Sequence, residues 1–102
     1  MPGTRVDLQQ RLEQVLGSKS VFFQPPVNLV LKYPCIVYEY SRSVADHADN
    51  IPYRVSHQYT VTFITTNPDD KTIERLSDQS YTYFNRYYKS DNLHHYVYLM
   101  YR

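Results

Sequence analysis

Cysteine is almost missing from this chain of 102 residues. Cys35 stands alone, so no internal disulfide can form and no thiolate cluster can hold zinc. Glycine occurs only at Gly3 and Gly17, which leaves no glycine-rich loop to cradle a phosphate. Tryptophan is absent, and no segment approaches the roughly 20 apolar residues of a membrane span or the pattern of a signal peptide. Charge of either sign is not in excess either: the formal net charge is +1, and the charges are scattered rather than blocked. That balance excludes a strong electrostatic footprint for a phosphate backbone or an anionic membrane. These absences describe one soluble domain spanning 1–102, made in a cytoplasm.

Tyrosine is what the chain has in plenty, with 12 residues. Its large ring and water-tolerant hydroxyl suit a surface that is exposed in one state and covered in another, although tyrosine also simply favours strands. Both readings stay open at this point.

Along the chain, Thr4 with Asp7 three residues on is close to a capping box. Leu8, Leu12, Val15 and Leu16 follow at helical spacing before Gly17. This predicts an amphipathic helix of about 13 residues with one buried stripe. The prolines in VFFQPP predict a loop, with a short edge strand at Asn28 to Lys32. A strand is expected from Cys35 to Tyr40, then a polar loop from Ser43 to Tyr53, then a cleanly alternating strand in RVSHQYTVTFITT. Helical spacing at Ile73, Leu76, Ser80, Tyr83 or Phe84, and Tyr87 predicts a second helix from Lys71 to Tyr87.

The closing stretch DNLHHYVYLMYR reads as a strand with almost no polar side. Leu93, His95, Val97, Leu99 and Tyr101 point one way, and His94, Tyr96, Tyr98 and Met100 the other. The fold expected is α+β: a two-layer sandwich with a mainly antiparallel sheet of three or four strands and two helices on one face, in the order α-β-β-α-β. If the Val55 side of its strand faces the helices, the open face shows Ser56, Gln58, Thr60 and Thr62 beside Tyr96, Tyr98 and Met100. Such a face suits a subunit contact.

Enzyme chemistry finds no support in the residues: no nucleophile with a base, no paired carboxylates and no metal constellation. His47 with Asp46 and Asp49 fits a solvated loop as well as a ligand set, and adjacent His94 and His95 point to opposite faces. Cys35 reads as a small core residue rather than a nucleophile. The expectation is no enzyme, no cofactor and no metal. Exposed tyrosines could stack single-stranded nucleic acid, but a basic groove and the glycine-and-aromatic signature of an RNA-recognition strand are missing.

YPCIVYEY, the ADN..Y loop, YTVTFIT and the run IERLSDQSYTYFNRYYKSDNLHHYVYLMYR together resemble the small tail-completion or tail-terminator proteins of long-tailed bacteriophages. The resemblance covers Leu8 to Tyr101 in element order. It implies an α+β virion protein, without enzymatic activity or cofactor, that forms a ring, typically of six copies, on the head-proximal end of the tail tube. There it ends tube growth and presents a surface to the head connector. The implied partners are further copies of itself, the tail tube protein and the connector protein, with DNA passing through the ring unread and no membrane involved. A head-closure or adaptor ring is the neighbouring role. The contact positions expected are Asp46, Asp49, Asn50 and Tyr53 in the loop, with Tyr96, Tyr98 and Tyr101 in the closing strand.

Overall fold

The computed structural model describes residues 4–48 and 51–101, with side chains at 5–42 and 57–101. Helix α1 runs Thr4–Leu16 as the spacing predicts. Leu8, Leu12 and Val15 form its buried stripe, and Gly17 ends it at φ 80°, where its N–H donates to the Glu13 carbonyl at 2.8 Å. That left-handed stop is a backbone shape glycine takes without strain.

Five strands follow: β1 Val21–Phe23, β2 Cys35–Ala48, β3 Ile51–Thr65, β4 Thr82–Ser90 and β5 Leu93–Tyr101. A second helix, α2 Thr72–Ser77, lies between β3 and β4. They form one sheet in the order β1-β2-β3-β5-β4, parallel only between β1 and β2. The α+β class therefore holds, with a larger sheet and a longer element order than the sequence pattern predicts.

The core lies between the helices and one sheet face. Leu8, Leu12 and Val15 of α1 and Leu76 of α2 meet Ile36 and Tyr38 of β2, Tyr59, Val61 and Phe63 of β3, and Tyr98 and Met100 of β5. The Tyr38 hydroxyl, carried inside with its ring, donates to Gln9 Oε1. The Gln9 amide in turn donates to the Val21 carbonyl at 3.0 Å and to Glu13 at 2.9 Å. One polar side chain on α1 thus ties the helix to β1 and β2 and satisfies a group that would otherwise be buried at a cost.

Four expectations are corrected. The second helix stops at Ser77 instead of Tyr87, because residues 82–90 form β4. Thr82, Tyr83, Phe84, Tyr87 and Tyr88 favour a strand, and the run matches helical spacing only by coincidence of its aromatics. Asp91 and Asn92 both have positive φ, 53° and 62°, and turn β4 into β5 as a two-residue hairpin in which Ser90 pairs with Leu93.

The short edge strand is Val21–Phe23, not Asn28 to Lys32. Residues 43–48 and 51–53 are strand, not loop: β2 continues to Ala48 and β3 begins at Ile51, paired antiparallel from Ser43↔His57 to Ala48↔Ile51 with a register shift between Asp46 and His47, while Asp49 and Asn50 lie outside the described residues.

The closing strand also presents its sides the other way round. Tyr98 pairs with Val61, Met100 with Tyr59 and Tyr96 with Phe63, which places all three on the helix side. The polar row of β3 shares its face with His95, Val97, Leu99 and Tyr101 instead.

That second face is partly roofed. Pro25, Pro26, Val27, Leu29 and Leu31 stand beside Val37, Thr62, Ile64, Tyr88 and His95 and line an open pocket of about 310 Å³. The remaining part of the face, around Glu39, Thr60, Leu99 and Tyr101, carries no such roof among the described residues.

Candidate assembly interface

β4 is an edge strand, bonded to β5 on one side and to no strand on the other among the described residues. An edge presents a row of unpaired N–H and C=O groups, and natural sheets blunt such edges with charge, proline, bulges or short length. This edge is nine residues long and has no proline. It has a register shift between Phe84 and Arg86 and two cations, Arg86 and Lys89.

Aromatic side chains crowd it on both sides. Tyr83, Tyr88 and Arg86 stand on the roofed face, while Phe84 and Tyr87 stand on the helix face. Exposure is 60% at Tyr81, 58% at Tyr83, 56% at Phe84, 45% at Tyr87 and 39% at Tyr88, so five large rings are left half in water within one short stretch. Together they present about 500 Å² of ring surface, taking roughly 200 Å² per aromatic side chain. Tyr83 and Tyr88 lie on one sheet face and Phe84 and Tyr87 on the other, flanking the edge between them; the largest apolar patch of an ordinary monomer, about 300–600 Å², is itself often functional.

The rings are held in place by cross-strand neighbours on β5. Tyr88 stacks on His95 with centroids 4.5 Å apart and planes at 12°. Tyr87 stacks on His94 at 5.8 Å, its hydroxyl in a hydrogen bond with Nδ1 at 2.6 Å. Phe84 meets the buried Tyr98 edge-on at 5.5 Å, Tyr83 meets Tyr101 edge-on at 5.7 Å, and the Arg86 guanidinium lies 5.1 Å from the Tyr88 ring centre. Neighbours that fix the rotamers lower the entropy lost when a partner covers the rings.

The residues predicted as contacts divide. Tyr98 is a correction: it is fully buried, donates to the Ile73 carbonyl at 3.2 Å and lies 3.4 Å from the Ser77 hydroxyl, and burial raises its pKa. Tyr96 is half-buried against the core, and burial first, then neighbouring Tyr87 and Tyr98, raise its pKa as well. Tyr101 is half-buried on the other face, where its hydroxyl accepts from the Gln58 amide at 2.8 Å and its ring adjoins Tyr83. Asp46 and Tyr53 sit in β2 and β3 by their backbone, with side chains outside the described residues. Asp49 and Asn50 lie outside the described residues altogether.

Sequence reasoning missed Tyr83, Phe84, Arg86 and Tyr87, which it placed on a helix, and Tyr88, which it left just beyond that helix. The signal that finds them is the Asp91-Asn92 pair, a two-residue hairpin turn between aromatic runs.

The remaining chemistry is sparse. Burial pushes the Cys35 thiol up to about 11, so it stays protonated at neutral pH and is a poor nucleophile. No group of three or more metal-ligating side chains occurs among the described residues, and no helix there is long and apolar enough to cross a membrane. No model of a known protein family matches the chain, and no curated protein matches it either.

Proposed function

We propose that this protein is a structural subunit that works by binding copies of itself. The observation that carries this is the β4 edge, with its four half-exposed aromatic rings, a fifth at Tyr81 just before it, and open backbone groups. A standard stable interface takes about 800 Å² from each partner, and the rings with the adjoining backbone supply a large share of that. Aromatic anchors with few charges are the composition of an interface core.

The finer reading follows the resemblance drawn from the sequence. The protein is a tail-terminator-like ring subunit of a long-tailed phage, closing the head-proximal end of the tail tube and offering a joining surface to the connector. It acts in the virion, after assembly in the host cytoplasm, without catalysis. A head-closure ring uses the same physics. One site pressed against a different site on the next copy generates a closed ring when the rotation closes.

Native mass over a concentration series, with negative-stain images of any large species, tests this. A closed ring whose stability varies little with salt supports it. A chain that stays monomeric throughout overturns it. Retention of single-stranded oligonucleotide that weakens steeply with salt replaces it with stacking of bases on Tyr83 and Tyr88 beside Arg86.

A further inference from the structure

β2 and β3 run on together well past the body of the sheet. β5 follows β3 only as far as Gln58↔Tyr101, whereas β2 and β3 stay paired from Ser43↔His57 to Ala48↔Ile51. The result is a two-stranded ribbon, and the molecule measures 49 Å along its longest axis against 24 and 23 Å across. Two strands alone are marginally stable in water, so a ribbon of this kind is stabilised by a further strand or surface.

Two open edges on the molecule match. On the ribbon, β3 has no strand partner on its β5 side before His57 among the described residues, and Pro52 lacks an N–H, which leaves residues 53–57 able to pair. On β4, the register shift at Asn85 separates a short first part from Arg86 to Ser90, five residues in unbroken register with β5. Tyr53 stands at a register shift with β2, so four residues in unbroken register on the ribbon edge, 54–57, stand against five on β4.

We infer that the ribbon of one copy adds its β3 edge, residues 53–57, to the β4 edge of the next copy at 86–90, an inference that rests on self-assembly through β4. The occupant of the edge is a second copy of this chain, and the sheet continues from subunit to subunit by strand addition. The two surfaces differ, so the contact propagates round a ring instead of stopping at a dimer. Within one chain the two segments cannot meet. Lys89 pairs with His94 and His94 with Thr65, nine residues along β3 from Ser56, ~30 Å at the rise of a strand.

The experiment places Ser56→Cys and Lys89→Cys in the full chain and treats the assembled protein with a short bismaleimide. Cys35 is fully buried and does not compete. In either strand direction the two positions lie within two residues of each other across the junction. The doubly substituted chain is expected to give a ladder of covalent oligomers on a denaturing gel, the two single variants mixed to give a dimer, and each alone to give monomer. Amide hydrogen exchange of the unsubstituted protein is expected to slow at 53–57 and 86–90 on assembly. Rings without the ladder and without that protection overturn the pairing while leaving self-assembly standing. A dimer from Lys89→Cys alone overturns it in favour of β4 against β4. Absence of any assembled species overturns both.

Discussion

Replacing Tyr98 separates core from interface more sharply than any other change. The side chain is fully buried in the core that Leu76, Val61 and Phe63 share, and its hydroxyl donates to the Ile73 carbonyl. Tyr98→Phe removes only that hydroxyl and its hydrogen bond, a loss of ~1 kcal/mol. For a chain of this size that corresponds to a fall in Tm of ~4–8 °C. Tyr98→Ala removes the ring as well and leaves a cavity beneath α2, with a cost of about 3–5 kcal/mol by analogy with other large aromatic truncations. Since a domain of this size holds ~5–15 kcal/mol in all, the alanine variant stands near the threshold of unfolding. Tyr83→Ala, at 58% exposure, serves as the contrast and is expected to change stability by no more than ~0.5 kcal/mol. The assay is urea unfolding by circular dichroism at a concentration where each variant is monomeric. Tyr98→Ala as stable as Tyr83→Ala would refute the placement of β5 on the helix side and with it the core described above.

Further expectations follow from other sites. Tyr83→Ser combined with Phe84→Ser is expected to lower the assembled fraction at least tenfold by sedimentation while the melting midpoint of the monomer stays put; assembly at the original concentration would show the rings to be incidental. Gln9→Ala leaves the Tyr38 hydroxyl and the Val21 carbonyl short of a partner and is expected to cost ~1–3 kcal/mol in the same urea assay. Burial raises the pKa of Cys35 from 9.0 to about 11, so the folded form holds its proton more tightly than the unfolded one. That contribution is whole below pH 9 and is lost as pH rises toward 11; Cys35→Ala is expected to flatten the alkaline fall in stability over that interval, read by unfolding at stepped pH. Buried Tyr38 and Tyr98, whose pKa values burial also raises, act in the same direction and persist in that variant.

α1 was legible because three signals agree there: a start at Thr4 and Asp7, a four-residue apolar stripe and Gly17. The β3 alternation likewise put Tyr59, Val61 and Phe63 on one buried row. The closing strand was legible as a strand and ambiguous in its faces, since apolar and aromatic residues occupy both. What decides is the neighbour: register with Val61 turns Tyr98 inward, and register is a property of two segments far apart in sequence. The same ambiguity hid the interface. A run of tyrosines with polar spacers satisfies a helical stripe and an edge strand equally, and only the Asp91-Asn92 turn distinguishes them. The continuation of β2 and β3 beyond Tyr40 escaped notice because Asp46, Asp49, Asn50 and Pro52 are turn formers, and strand pairing at Asp46 and Pro52 runs against local preference.

The place of β5, between β3 and β4 although it follows both, has a consequence for how the chain is made. As the protein is synthesised from its amino end, β3, α2 and β4 appear with a one-strand gap between them, and β4 has no neighbour with which to form a ladder. Until β5 arrives and fills the gap, the aromatic run stays an unpaired segment tethered to a half-built sheet. On the self-assembly proposed above, each chain acquires an ordered β4 edge only in the step that completes its own core.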